Sequence, residues 1–288
     1  MKFRSCLAFC LAITLASCAS PPTTAADALD NDKAAAAAAD DGDFPEAIRL
    51  LTEALAVPDL SVDQRAELTL HRAFAYDENG EYNHAIVDYD SVLEMKPGAS
   101  QVYFRRGIAR REKGEYEQAL GDFEAAAKSA APGVADWPFL YGDRGVVRFA
   151  LGRYGEAAKD FGRVVTAEPS DAYGILWLHI SRSRAGAPEP AKFTEEAAKI
   201  QGDDWPNAVL ELYRGKMTPQ QLQTVATEGD EEERQFKGCE ADFFIAEQDL
   251  IQGKVEAAKP LLQMVTKDCS PSLAVHAGAA GELRRIGG

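Results

Sequence analysis

The stretch GEYEQALGDFEAAA at residues 114–127 decides the fold, because its pattern recurs along the chain. Each copy has a glycine, an aromatic residue two positions later and an alanine five positions later, and the glycines stand 38, 34 and 38 residues apart. A bulky apolar residue follows each alanine by four positions, and a proline ends most copies. The four copies begin at Gly42, Gly80, Gly114 and Gly152. Glycine permits a tight turn and the apolar spacing indicates one face of a helix, so the pattern predicts helical hairpins.

The recurring pattern resembles the tetratricopeptide repeat (TPR), a pair of antiparallel helices of about 34 residues. A weaker fifth unit starts at Ala172, a sixth starts near Cys239, and residues 272–286 have the pattern of a terminal capping helix. We therefore predict an all-α fold: a right-handed superhelical TPR solenoid of about five to six helical hairpins, closed by a C-terminal capping helix.

Composition and repeat pattern divide the chain into five segments. They are a lipoprotein signal peptide (1–17), a lipidated tether (18–27), TPR units one to four (28–171), a degenerate fifth unit with a helical connector (172–238), and a C-terminal TPR-like hairpin with its capping helix (239–288). The tether is small and rich in Pro and Thr, which is typical of a flexible linker.

The N-terminus has the pattern of an export signal that ends in a cysteine. Lys2 and Arg4 precede an apolar run over 6–16, which is too short for a bilayer span of roughly 20 residues. The run ends in Leu15-Ala16-Ser17-Cys18, which resembles a bacterial lipobox. The resemblance implies lipidation at Cys18 and, from the residue Ala19 that follows it, a place on the cell outer membrane facing the periplasm. The alternative is an ordinary secretory signal with a cysteine by chance.

Two cysteines, Cys239 and Cys269, remain after the signal and the lipidated position are set aside. They open the first helix of the last hairpin and follow its second helix, so the two ends lie side by side in an antiparallel pair. In an oxidising compartment this arrangement predicts one disulfide.

The formal net charge is −15, and losing Lys2 and Arg4 with the signal would make the mature chain more acidic. An acidic surface argues against nucleic acid or anionic lipid as a direct partner. The 46% hydrophobic content suffices for an ordinary packed core.

Three hairpins carry an arginine in the first helix and an aspartate sixteen residues later in the second. They predict structural ion pairs between Arg72 and Asp88, Arg106 and Asp122, and Arg144 and Asp160. Units one, five and six lack both residues. If the pairs are buried, replacing Arg106 would leave Asp122 unpaired. The functional alternative is a basic substrate site.

The first helices of a TPR array line its concave face, where this register places an apolar, protein-binding groove. Its predicted lining is Leu70, Phe74, Phe104, Ile108, Phe139, Val146, Phe149, Tyr173, Leu176 and Ile180. A long apolar stripe typically marks an interface for a partner peptide or helix. The alternative is that the C-terminal helices fold back and fill it. Arg110, Arg148 and Arg182 form a row that either receives a carboxylate or pairs with neighbouring acids.

Two further segments have alternative interpretations. The six alanines at 34–39 either support a homodimer contact or form a frayed first helix. The acidic run 228–234 is interpreted as a solvated loop or helix start in preference to a metal site, because its glycine precedes an unbroken run of acids. No hydrolase, phosphate-loop or metal motif occurs, so we predict no enzymatic activity, no cofactor and no metal.

The chain resembles the NlpI-type TPR lipoproteins of the bacterial outer membrane. The resemblance lies in the lipobox, in Asp143-Arg144-Gly145, in Leu176-Trp177-Leu178, and most specifically in the connector from Asp204-Trp205-Pro206 to Leu212-Tyr213-Arg214-Gly215. It implies an adaptor that brings peptidoglycan hydrolases to a C-terminal processing protease. The alternative is a scaffold for a secretion or polysaccharide-export complex in the same membrane. The alanine-rich first helix departs from the family and leaves dimerisation open.

Overall fold

The computed structural model describes residues 23–130, 138–202 and 205–287, and within these ranges all regular secondary structure is helical. The first four hairpins are α1 (Ala25–Asp40) with α2 (Phe44–Leu55), α3 (Val62–Glu78) with α4 (Tyr82–Met95), α5 (Ser100–Glu112) with α6 (Tyr116–Ser129), and α7 (Pro138–Ala150) with α8 (Tyr154–Ala167). The other helices are α9 (Ala172–Arg184), α10 (Pro190–Ala197), α11 (Trp205–Tyr213), α12 (Pro219–Val225), α13 (Glu231–Ile251), α14 (Val255–Asp268) and α15 (Ala274–Ile286).

The motif glycines form the turns inside the hairpins. Gly80, Gly114 and Gly152 have φ values of 73°, 83° and 75°, in the left-handed region that glycine enters without penalty. The motif aromatic begins the second helix of each hairpin, and the motif alanine is fully buried against the first helix, as at Ala85 and Ala119. The repeat pattern therefore fixes where each hairpin turns and which face it buries.

Two further glycines let the helices of a hairpin approach closely. A Cβ built on Gly107 of α5 would lie 2.7 Å from the ring of Phe123, and one on Gly145 of α7 would lie 2.8 Å from the ring of Phe161. These aromatic rings are buried in the second helices α6 and α8. The missing side chain in the first helix is what makes room for each ring.

The helices follow one another as a TPR solenoid, so the predicted all-α fold is confirmed. α9 and α10 form the degenerate fifth hairpin, α13 and α14 form the last one, and α15 follows as the capping helix. The connector contributes two short helices of its own, α11 and α12, which raises the helix count above that of six hairpins and a cap. No described helix is long and apolar enough to cross a bilayer.

The last hairpin begins earlier than the sequence pattern placed it. α13 starts at Glu231, whereas the segment boundary was predicted at residue 239, and Cys239 therefore lies within the helix. Asp230 caps the helix by accepting a hydrogen bond from the Glu233 N–H at 2.9 Å. Three glutamates fill its first turn, where the positive end of the helix dipole favours negative charge.

The buried core is unequally distributed along the solenoid. Small clusters lie between α1, α2 and α3 and between α3, α4 and α5, whereas one large cluster runs from α5 to α15. In the large cluster, the rings of Phe149, Phe161 and Phe243 surround Trp177 at centroid distances of 5.2 to 5.5 Å. The C-terminal half is therefore the heavily packed part of the molecule.

Candidate concave binding groove

An open groove of about 830 Å³ lies between the second and third hairpins, lined mainly by their first helices α3 and α5, the helices expected to line the concave face. Leu70 and Phe74 of α3 and Phe104 of α5 line it, all three of them residues of the predicted groove. Leu70 and Phe74 are partly exposed, and Phe104 is 8% exposed. The Arg105 guanidinium lies over the Phe74 ring, 4.6 Å from its centroid, and marks one edge of the apolar floor.

A second depression of about 240 Å³ continues the floor toward the N-terminus. It lies between α1, α2 and α3 and shares Phe74 with the larger groove. Its apolar wall consists of alanines of α1, among them Ala36 and Ala39, together with Phe44. The Phe74 ring therefore borders both depressions.

The predicted groove is not continuous through units four and five, which corrects its proposed lining. Phe149, Leu176 and Ile180 are fully buried, so these three side chains cannot contact a partner. Val146 is 4% exposed and lines a separate, shallow depression. α15 packs on α7, and α9 is covered by α10, α11 and α13. The C-terminal helices thus fill this half of the concave face, as in the alternative that the sequence left open.

The remaining predicted lining residues have different surroundings. Phe139, at the start of α7, is 69% exposed and lines a shallow depression of about 220 Å³ with Tyr173. Ile108 packs against the large core. The Tyr173 hydroxyl donates to Glu240 of α13 at 2.9 Å, so this ring is committed to an internal contact.

The structure brings together each predicted arginine–aspartate pair. Arg72 Nε donates to Asp88 Oδ2 at 2.7 Å, Arg106 Nη2 to Asp122 Oδ1 at 2.5 Å, and Arg144 Nη2 to Asp160 Oδ1 at 2.6 Å. The side chains of the aspartates are 7%, 4% and 2% exposed. Each pair joins the two helices of one hairpin across its interior.

The row of arginines at the next helical turn joins the same network. Arg110 Nη1 donates to Asp122 at 2.9 Å and Arg148 Nη1 to Asp160 at 2.7 Å, while Arg182 pairs with Glu189 at 3.0 Å. Asp122 therefore has two guanidinium partners, so loss of Arg106 would not leave it unpaired, contrary to the expectation from sequence. The row is paired with acids of this chain.

Sequence reasoning missed a buried carboxylate network that holds α15 in place. Glu282 of α15 accepts hydrogen bonds from Tyr154 Oη and from Arg184 Nη2, both at 2.6 Å. Arg285 donates to the same carboxylate at 2.8 Å. Glu247 of α13 is fully buried, 3.9 Å from Arg184 Nε, and its oxygens accept no hydrogen bond from a described residue. Burial, followed by the charge of Glu282, raises the pKa of Glu247 well above its usual value.

A second buried glutamate on α13 anchors the connector. Glu240 accepts hydrogen bonds from Trp205 Nε1 at 2.7 Å and from Tyr173 Oη at 2.9 Å, and burial raises its pKa to about 7. The sequence contains a pattern that could have indicated that both glutamates are buried. Glu240 and Glu247 stand seven residues apart and flank Phe243 and Phe244, so all four share one helix face that must be buried.

The cysteine pair forms a disulfide between α13 and the C-terminal end of α14. The Cα atoms of Cys239 and Cys269 are 6.0 Å apart. The predicted lipidation position Cys18 and the predicted signal peptide lie outside the described residues. Among the residues that the structure does describe, no group of three or more His, Cys, Asp or Glu side chains could hold a metal ion.

The alanine-rich helix α1 packs along α2, with Ala28 and Ala35 buried. Thr24 and Asp27 form a capping box at its start, so the helix has a defined beginning. Ala34, Ala36 and Ala37 are exposed. Ala36 lines the second depression, whereas Ala34 and Ala37, one helical turn apart, lie outside it.

Comparisons with known proteins agree with this architecture. A tetratricopeptide-repeat family model matches residues 72–135. The lipoprotein NlpI homolog of Haemophilus influenzae is 24% identical over 239 residues, which cover 82% of this chain and 75% of that protein.

Solved structures show the same fold at low identity. A tetratricopeptide-repeat protein from Parabacteroides merdae superposes with a TM-score of 0.60 at 17% identity, over 89% of this chain and 99% of that one. MamA from Desulfovibrio magneticus gives a TM-score of 0.53 at 18% identity, over 67% and 98% of the two chains. Residues 72–135 thus match the tetratricopeptide-repeat family, and the resemblance of the chain to the NlpI-type TPR lipoproteins is confirmed.

Proposed function

We propose that this TPR protein is a membrane-anchored periplasmic adaptor that brings peptidoglycan hydrolases to a processing protease. The observation that carries the proposal is the open apolar groove at Leu70, Phe74 and Phe104, on the concave face where a TPR array can receive a partner. The similarity to an NlpI homolog supports the interaction role. The proposal includes no catalytic step by this chain itself.

The anchor is proposed at Cys18, on the outer membrane and facing the periplasm. Its support is the lipobox in the sequence and the similarity to a protein named as a lipoprotein. Several acyl chains on one cysteine would hold the chain firmly, because each buried methylene contributes about 0.8 kcal/mol. A homodimer through Ala34 and Ala37 of α1, which are exposed and lie outside the second depression, is part of the same proposal, and sedimentation of the full chain tests it.

Cross-linked pulldown from cell envelopes tests the adaptor role. The bait is the full chain, beside a Phe74→Asp variant in the groove and a Val87→Asp control on α4, where Val87 is 60% exposed and outside the groove. We expect the wild type and the control to recover hydrolases and a protease, and the groove variant to lose them. Recovery of secretion or export components instead would support the alternative scaffold. Hydrolysis of purified cell wall by the pure protein would contradict a non-catalytic role.

A further inference from the structure

The rim of the open groove carries acids that pair with no cation among the described residues. Asp40, Glu67 and Glu78 line the two depressions that Phe74 borders, and they are exposed. Within the described residues, their side chains make no hydrogen bond or ion pair. They contrast with the acids of the hairpin interiors, such as Asp122 and Asp160, each of which has two guanidinium partners.

The other charges around the groove leave the rim negative. Lys96 pairs with Asp63 at 2.8 Å, and His71 contacts Asp32 at 2.7 Å. The rim therefore holds five carboxylates against two permanently charged cations, Lys96 and Arg105; the carboxylates are those of Asp32, Asp40, Asp63, Glu67 and Glu78. An apolar floor with an acidic rim is complementary to an apolar surface edged by basic residues.

The contact between α15 and α7 shows how a first helix of this array holds another helix. Gly281 of α15 lies so close to α7 that a Cβ there would be 2.3 Å from the Ala150 carbonyl oxygen. The helix ends in Arg284 and Arg285, which both donate to that oxygen, at 3.3 and 2.9 Å. Their guanidinium groups lie over the rings of Tyr116 and Tyr154, at 4.7 and 5.1 Å. The seated helix thus combines a small apolar face with a basic end.

We propose that the open groove binds an amphipathic helix of a partner protein in which Lys or Arg residues flank the apolar stripe. This inference rests on the proposed adaptor function and specifies the chemistry of its partner. The apolar stripe covers Leu70 and Phe74, and the flanking cations pair with Glu67 and Glu78. A second copy of this chain is a poorer occupant, because its net charge of −15 adds like charge to an acidic rim.

Three designed helical peptides of equal length test the charge preference. The first has a Leu/Phe stripe with Lys flanks, the second the same stripe with Glu flanks, and the third Lys flanks with Ser in place of the stripe. Binding to the full chain in zwitterionic nanodiscs is measured by fluorescence anisotropy, with empty nanodiscs subtracted. We expect the first peptide to bind at least about tenfold more tightly than either of the others, with an affinity that falls as salt rises.

Variants of the chain assign the binding to the groove. Glu67→Lys combined with Glu78→Lys should remove the preference for Lys flanks. The control combines Glu232→Lys with Glu256→Lys, which makes the same charge change at two exposed residues outside the groove and should keep the preference. Phe74→Ser should weaken all stripe-dependent binding. The rim variants change only exposed side chains. They therefore test the charge preference even if Phe74→Ser prevents the chain from folding.

The inference is overturned if the Glu-flanked peptide binds as tightly as the Lys-flanked one, if neither binds, or if the rim variants leave the preference unchanged. Those results are distinct from failure of the adaptor role. If the envelope pulldown still recovers its partners through Phe74 while the peptides show no charge preference, the adaptor function stands and only the basic helix is excluded.

Discussion

Asp88, Asp122 and Asp160 occupy the same position in three successive hairpins but differ in their number of partners. Asp122 and Asp160 each accept from two arginines, one helical turn apart. Among the described residues, Asp88 accepts only from Arg72, because Tyr76 stands where the other units have the second arginine. A buried carboxylate that loses its only guanidinium loses the compensation for its desolvation.

We therefore expect Arg72→Ala to be more destabilising than Arg106→Ala, although the Arg72 side chain is the more exposed, at 21% against 14%. Removing Arg72 should cost about 3 kcal/mol, and removing Arg106, where Arg110 stays bound to Asp122, about 1 kcal/mol. Urea unfolding followed by circular dichroism measures both. Lys33→Ala, which breaks an exposed pair with Asp30, serves as a control with little expected effect. The reverse order would show that the second arginine does not compensate.

Glu240 makes stability depend on pH in a defined direction. Its pKa is about 7 in the folded chain, against an ordinary value of 4.5, because burial disfavours the carboxylate. Between these two pH values the folded state binds more protons than the unfolded state. The contribution of Glu240 to the free energy of unfolding therefore falls as pH rises through this window and is constant above it.

Glu240→Gln should remove that pH dependence, since the glutamine oxygen can accept from Trp205 and Tyr173 without ionising. Between pH 5 and pH 8, the free energy of unfolding of the wild type should fall by about 2 kcal/mol more than that of the variant. Urea unfolding at the two pH values provides the measurement. Glu256→Gln, at an exposed position on α14, should retain the wild-type pH profile. Parallel profiles for wild type and Glu240→Gln would mean that Glu240 titrates normally.

The local sequence pattern predicted the positions of the helical hairpins, but it did not predict the contacts between helices that are distant in sequence. A Gly-x-aromatic spacing specifies its own turn within a few residues, so Gly80 and Gly114 could be placed from sequence alone. Whether Phe149 or Leu176 faces solvent depends on α15 and on the helices that cover α9, and helical periodicity carries no information on those distant contacts. Gly278 and Gly281 were the available signal, because small residues on one face of a helix permit close approach to another helix.

Docking of α15 on α7 should depend on the absence of a side chain at residue 281. An alanine Cβ at this position would lie 2.3 Å from the carbonyl oxygen of Ala150 and 2.6 Å from the Cα of Ala150. Neither backbone atom can move without shifting α7. Gly281→Ala should therefore lower thermal stability and expose α15 to limited proteolysis.

Gly162→Ala on α8 is the matched control for that prediction. No atom lies within 4 Å of a Cβ built at residue 162, so this alanine should stabilise the helix by about 0.5–1 kcal/mol. If both variants gain stability, the contact between α15 and α7 is looser than the structure indicates.

For the whole molecule, the unequal core implies unequal stability along the solenoid. A TPR array is stabilised mainly between neighbouring units, so its ends can open independently of its middle. α1 contributes only alanines to the core, and each alanine buries little apolar surface. The C-terminal half has the aromatic cluster around Trp177 and a disulfide closing a sequence separation of 30 residues, which should contribute about 3–4 kcal/mol.

Amide hydrogen exchange should therefore be graded from one end of the chain to the other. We expect amides of α1 and α2 to exchange at least about tenfold faster than those of α9 and α13, because opening the first hairpin exposes far less apolar surface. Leu51→Ala and Leu210→Ala remove equivalent buried side chains from the two halves, 2% and 0% exposed, and each should cost about 2–5 kcal/mol locally. The first should accelerate exchange in α1–α3 and leave α9 unchanged, whereas the second should accelerate exchange in α9–α13 and leave α1 unchanged. If either variant accelerated amide exchange equally in all helices, the solenoid would have to unfold as a single cooperative unit. The packing of the C-terminal half would then stabilise the open groove as strongly as it stabilises its own core.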